Sequence, residues 1–96
     1  MSERAEVKSY PLMLSVNEMN RISEETMSAF AKGLNNIKGF LGVYPEFPFS
    51  YFLFISEKGR TEGQKLAKSY GIVTAKSHRI AYVPIEDLGK EKKDGK

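Results

Sequence analysis

Residues 39–56 read GFLGVYPEFPFSYFLFIS, and the way this stretch breaks decides what the chain can fold into. It holds seven of the eleven aromatic residues: Phe40, Tyr44, Phe47, Phe49, Tyr51, Phe52 and Phe54. Pro45 and Pro48 divide it, because proline lacks the amide proton that a sheet ladder needs. A strand remains on each side of Pro45-Glu-Phe-Pro48, which predicts a hairpin with a longer loop. The second arm, Phe49 to Ile55, is apolar on both faces apart from Ser50. Such a strand belongs inside a sheet, not at its edge.

Upstream, Tyr10 to Val16 alternates: Tyr10, Leu12, Leu14 and Val16 point one way, Pro11, Met13 and Ser15 the other. That is the period of a half-buried strand. Between Asn17 and Ile37 the residues Ile22, Thr26, Ala29, Phe30, Gly33, Leu34 and Ile37 recur at helical spacing on one face. Ser15-Val-Asn-Glu18 has capping-box form, and Ser23-Glu-Glu offers a second helix start. Downstream, Glu57-Lys-Gly-Arg60 reads as a turn and Thr61-Glu-Gly-Gln64 as the cap of a helix from Glu62. Its inner face is Gly63, Leu66, Ala67 and Tyr70, and Gly71 ends it in a left-handed cap. Ile72 to Thr74 suits a short extended piece, and Arg79 to Ile85 a final strand that Pro84 assigns to an edge.

The order strand, helix, strand, strand, helix, strand resembles the ferredoxin-like βαββαβ arrangement. That resemblance implies an α+β fold, a four-stranded antiparallel sheet with two helices on one face, and central first and third strands. It sets the expected organisation: residues 1–9 flexible, 10–88 a single α+β domain, and 89–96 a disordered charged tail. The expected core is Leu12, Leu14, Phe30, Leu34, Leu53, Ile55, Leu66 and Ile80.

Composition narrows the chemistry. With 96 residues and 41% apolar content, the chain has enough for one modest core. The absence of cysteine removes disulfides, thiolate metal sites and thiol catalysis, and one histidine, His78, excludes a histidine-rich metal site within the chain. No apolar run approaches the roughly 18 residues that span a bilayer, and no signal peptide opens the sequence. These features point to a cytoplasmic protein that does not engage membranes and has no cofactor. The net charge is +3 and unevenly placed: Lys58, Arg60, Lys65, Lys68, Lys76 and Arg79 face a single acid, Glu62, within residues 58–79. Such a cluster suits a polyanionic partner or a solvated helix.

Three features are candidates for function. If Tyr51, Leu53 and Ile55 face the helices, then Met13, Val43, Phe52 and Phe54 form an aromatic patch on the open sheet face. The patch resembles the base-stacking platform of RNA-recognition motifs, although Pro48-Phe-Ser-Tyr51 does not match that family's third strand. A protein partner or a second copy covers such a face more simply, making a homodimer the expectation. The second feature is Lys58-Gly-Arg-Thr-Glu-Gly63, a turn whose helix-start amides, Thr61 and cations could hold an anion. With Lys65, Lys68, Lys76, His78 and Arg79 it makes a candidate anion or nucleic-acid surface. Gly59-Arg-Thr-Glu-Gly63 superficially resembles the acylphosphatase turn, but it follows the third strand instead of the first, and no asparagine comes after it. The third feature is His78 beside Ser77, which has no orienting acid next to it and makes no catalytic set. The sequence therefore predicts a small non-enzymatic binding or regulatory module that acts through its sheet face. RNA or another polyanion on the Lys58–Arg79 cluster is the alternative.

Overall fold

The computed structural model describes residues 6–78 and 81–84. Strand β1 (Glu6–Ser15) is central to the sheet. It pairs antiparallel with β3 (Phe49–Phe54), which in turn pairs antiparallel with β2 (Phe40–Glu46). On its other side β1 pairs with β4 (Ala75–Lys76) and, nearer its start, with β5 (Ala81–Pro84). The resulting order is β2-β3-β1-β4, so the two most apolar strands occupy the middle, as their composition requires. Strand β1 begins at Glu6, inside the stretch 1–9 expected to be flexible. Ile80 and the tail 89–96 lie outside the described residues.

The expected helix over 17–37 divides in two. Both predicted starts are used, each by a serine whose hydroxyl accepts from an amide three residues on. Ser15 caps the short α1 (Val16–Met19) through Glu18 N at 3.1 Å, and Ser23 caps α2 (Glu24–Asn35) through Thr26 N at 3.1 Å. Helix α3 (Glu57–Ser69) begins earlier than the sequence suggested. Ser56 caps it through Gly59 N at 3.1 Å, so Glu57-Lys-Gly-Arg60 is its first turn and Thr61 lies inside it. Its end follows expectation. Gly71 has φ +76°, Ile72 N donates to Ala67 O at 2.9 Å and Gly71 N to Lys68 O at 3.0 Å, the paired bonds of a Schellman cap.

The core settles which face of β3 meets the helices. The register sets Leu12 opposite Phe52 and Tyr10 opposite Phe54, so these residues share the face of Leu12 and Leu14. Phe52 and Phe54 are 4% and 0% exposed and cluster with Leu12, Leu14, Phe30, Leu34, Ala67 and Ile72. The expected face assignment of β3 is thus reversed. Tyr51, Leu53 and Ile55 belong to the other side, with Ile55 51% exposed and Leu53 buried but outside that cluster. Glycine in α3 explains the choice: a Cβ on Gly63 would stand 2.5 Å from Phe54 Cζ, so the helix axis comes down directly onto that ring. Phe30 from α2 meets Phe52 edge-on, with ring centroids 5.5 Å apart. Leu12, Leu14, Phe30, Leu34 and a half-buried Leu66 keep their expected places in the core.

The contact predicts an inverted helix-propensity effect. Gly63→Ala normally gains about 1 kcal/mol within a helix, yet here it should lose about 1–3 kcal/mol through overlap with Phe54. Ile55→Ala on the exposed side should cost less than about 1 kcal/mol. Urea unfolding of both variants checks this, and a stabilised Gly63→Ala would place α3 away from Phe54.

Candidate functional site

Exposed apolar side chains lie on the hairpin and, singly, at Ile55, Tyr70 and Val73. Val43 is 44% exposed, Tyr44 55% and Phe47 84%, three neighbours along β2 and its turn. Because β2 ends the sheet order, only β3 pairs with it among the described residues. Its free edge is poorly suited to a continued ladder, since Pro45 has no amide proton and the register shifts between Phe40 and Gly42. Helix α3 packs on β1 and β3, and α2 packs on α3, which leaves a groove between α2 and β2. This groove has a volume of about 230 Å³. Phe30, Leu34 and Phe52 form its buried floor, Phe40 and Leu41 one wall, and Met27, Ala31 and Asn35 the opposite rim.

Of the residues expected at a sheet-face interface, Phe52 and Phe54 are core and are withdrawn from that role. Val43 pairs with Phe52 and shares its face, standing exposed beside the groove. Met13 is half-buried on the opposite face, paired with Tyr51. That outer face does carry aromatic rings, Phe49 and Tyr51, with centroids 6.1 Å apart. Both are half-buried, and Pro11 and Leu53 on the same face are buried, so little of it is bare.

The basic residues separate into two groups. Lys58, Lys65 and Lys68 are exposed along α3, on a stripe set by spacings of three and seven that includes Thr61. Lys76 is exposed and donates to Thr61 Oγ1 at 3.4 Å; His78 is exposed, and Arg79 lies outside the described residues. Arg60 behaves differently. Its Nη1 donates to Ser77 O at 3.1 Å and to Pro11 O at 3.4 Å, while its guanidinium carbon lies 5.6 Å from the Tyr10 ring centroid. Arg60 therefore joins α3 to β1 and the segment after β4, and those contacts occupy it structurally. The turn-based anion cradle is also gone, since Ser56 and the first helical turn take up the Gly59 amide. Because α3 sits on the Phe54 face, its lysines and the Phe49–Tyr51 rings lie on opposite sides of the sheet. A base-stacking platform flanked by cations is not assembled.

Among the described residues no group of three or more His, Asp and Glu stands close enough to hold a metal ion, and no helix is long and apolar enough to cross a membrane. What stands is a small α+β fold with an antiparallel sheet, a one-sided core and an apolar hairpin edge. No protein-family model, curated protein or solved structure matches the chain.

Sequence reasoning missed the groove and the exposure of Phe47. The Pro45-Glu-Phe-Pro48 loop was itself the signal, because a phenylalanine in a turn bounded by prolines has no strand neighbours to bury it.

The clasp made by Arg60 predicts a structural loss. Arg60→Ala should lower stability by about 1–3 kcal/mol, and Arg60→Lys should not fully restore it, since an ammonium lacks the flat guanidinium held near the Tyr10 ring while Nη1 bonds two carbonyls. Urea unfolding of both variants tests this; full recovery in the lysine variant would reduce Arg60 to a charge.

Proposed function

We propose that this protein is a non-catalytic binding module that works by self-association or protein contact through the apolar edge of the β2–β3 hairpin. The supporting observation is an edge strand and turn with exposed apolar side chains: Val43 on the face of a groove floored by core aromatics, Tyr44 on the other face beside Tyr51, and Phe47 in the turn. Scattered exposed apolar residues need no explanation, but an apolar strand edge next to a cleft is a common mark of a contact surface. This moves the expected interface from the centre of the sheet to its edge. The fold we assign to the module is the ferredoxin-like arrangement. The β2–β3 hairpin, the central β1 and β3, and helices packed on the Phe52–Phe54 face support it. The short α1 and the division of the last strand into β4 and β5 are departures from that plan.

The second reading is polyanion binding by Lys58, Lys65 and Lys68, favoured by their exposure on one stripe of α3. Glu57 and Glu62 on the same helix oppose it. Retention on heparin that falls steeply with salt and is lost when all three lysines become alanine would support that reading instead.

The hairpin-edge reading is tested with a photo-crosslinking benzophenone amino acid replacing Tyr44, compared with one replacing the exposed Glu62 on α3. Protein adducts, with a second copy or with another chain, are expected from position 44 and not from position 62. An absence of protein adducts from position 44 overturns the reading.

A further inference from the structure

We infer that the groove between α2 and β2 is the seat for Phe47 of a second copy of this chain, in a reciprocal two-fold pair. The inference rests on the hairpin-edge reading and names the occupant. Among the described residues Phe47 is the most exposed large hydrophobic, at 84%, and offers an apolar knob, while the groove of about 230 Å³ offers an apolar hole. The molecule cannot join its own two parts. The groove is lined by residues 40–43 of β2, and Phe47 lies four to seven positions further along the same hairpin. At about 3.3 Å per residue, that separation is roughly 13–23 Å.

A two-fold axis removes the separation. Two β2 strands lying antiparallel and centred near Val43 and Tyr44 bring position 47 of one beside positions 40–41 of the other. The operation is self-complementary, so both knobs meet both holes at once and the assembly closes at two chains. The same placement apposes opposite ends of β2 and sets Glu46 of each copy two or three residues, about 7–10 Å, along the strand from Lys38 of the other. Glu46 is the only acid between Glu25 and Glu57, so each end of the pair carries a favourable long-range charge pairing and not a direct ion pair. Side chains carry the contact, not a shared ladder, because Pro45 and the irregularity at Phe40–Gly42 interrupt the edge.

The area sets the class of contact. A buried aromatic side chain covers about 150–250 Å², and Phe47, Tyr44 and Val43 are each still partly covered by their own chain. Two such sets and their grooves fall at the small end of specific interfaces, below about 1,200 Å² in total. An interface of that size suits a reversible pair that exchanges with its monomers, not a permanent one.

Sedimentation of the wild-type chain from about 1 to 200 µM, a range that brackets micromolar dissociation, is expected to show reversible monomer–dimer exchange. Phe47→Ala removes the knob from an exposed turn, and Ala31→Trp fills the hole from its exposed rim. Each should weaken dimerisation by about tenfold or more while circular dichroism and urea unfolding stay near wild type. An equimolar mixture of the two variants keeps one knob and one hole, and should associate more strongly than either variant alone. A wild-type chain that stays monomeric throughout overturns the inference, as does a dimer unchanged by Phe47→Ala. If the wild type is monomeric but position 44 crosslinks to a different protein, the hairpin edge stands and the second copy is wrong. If position 44 gives no protein adduct, both fall.

Discussion

The contact on which the rest of this structure depends is the Phe54 ring seated beneath Gly63. A Cβ there would come within 2.5 Å of the ring, so α3 reaches the sheet only because that position is glycine. Gly59 repeats the arrangement one turn earlier, with its Cβ position 3.5 Å from Phe54 Cδ2 and 3.4 Å from Lys38 O. With α3 fixed on Phe54, pleating fixes everything else on β3. Phe52 must meet α2 through Phe30, and Tyr51, Leu53 and Ile55 must turn to the other face. Two glycines weaken a helix intrinsically, so their presence is explained by packing and not by local preference.

The same geometry leaves β2 only partly covered. Helix α3 spans β1 and β3, α2 leans on α3, and the hairpin's outer arm extends past both. Its groove is floored by residues already in the core, so its shape is held by the packing that stabilises the fold. The exposed hairpin edge and the core thus come from one stretch of sequence. Residues 49–54 supply the buried strand, while residues 43–47 supply the exposed edge.

The hairpin, β1 and the two long helices could be read from the sequence because periodicity and capping chemistry are local, while the separate α1 and the division of the last strand into β4 and β5 could not. The central position of β3 followed from its two-sided apolar character and that of β1 from the resemblance in element order, and the serine caps at Ser15 and Ser23 followed from spacing alone. The facing of β3 was not legible in the same way. Both of its sides are apolar, so alternation gives two solutions, and only the register with Leu12 and Leu14 chooses between them. The glycines of α3 carried the missing information, since a notch at Gly59 and Gly63 calls for a bulky ring opposite, which Phe54 supplies and Leu53 does not. The start of α3 was misplaced because Thr61-Glu-Gly-Gln64 and Ser56-Glu-Lys-Gly59 both offer a cap, and the second captured an extra turn. Arg60 was read as a free cation because its partners, Pro11 O and Ser77 O, are backbone groups distant in sequence.

The phenylalanines divide in two: Phe52 and Phe54 are buried within the chain, whereas Phe47 is exposed and is the ring we propose to be covered on association. Fluorine NMR of protein carrying fluorophenylalanine reads all six residues, Phe30, Phe40, Phe47, Phe49, Phe52 and Phe54, in one spectrum. Assigned resonances in ordinary and heavy water, recorded over a concentration series, separate the alternatives. The predicted result is a full solvent isotope shift at Phe47 that declines as concentration rises, with none at Phe52 or Phe54 at any concentration. A solvent shift at Phe52 or Phe54 in dilute protein that vanishes on concentration, with Phe47 unchanged, would contradict both the facing of β3 and the hairpin-edge contact.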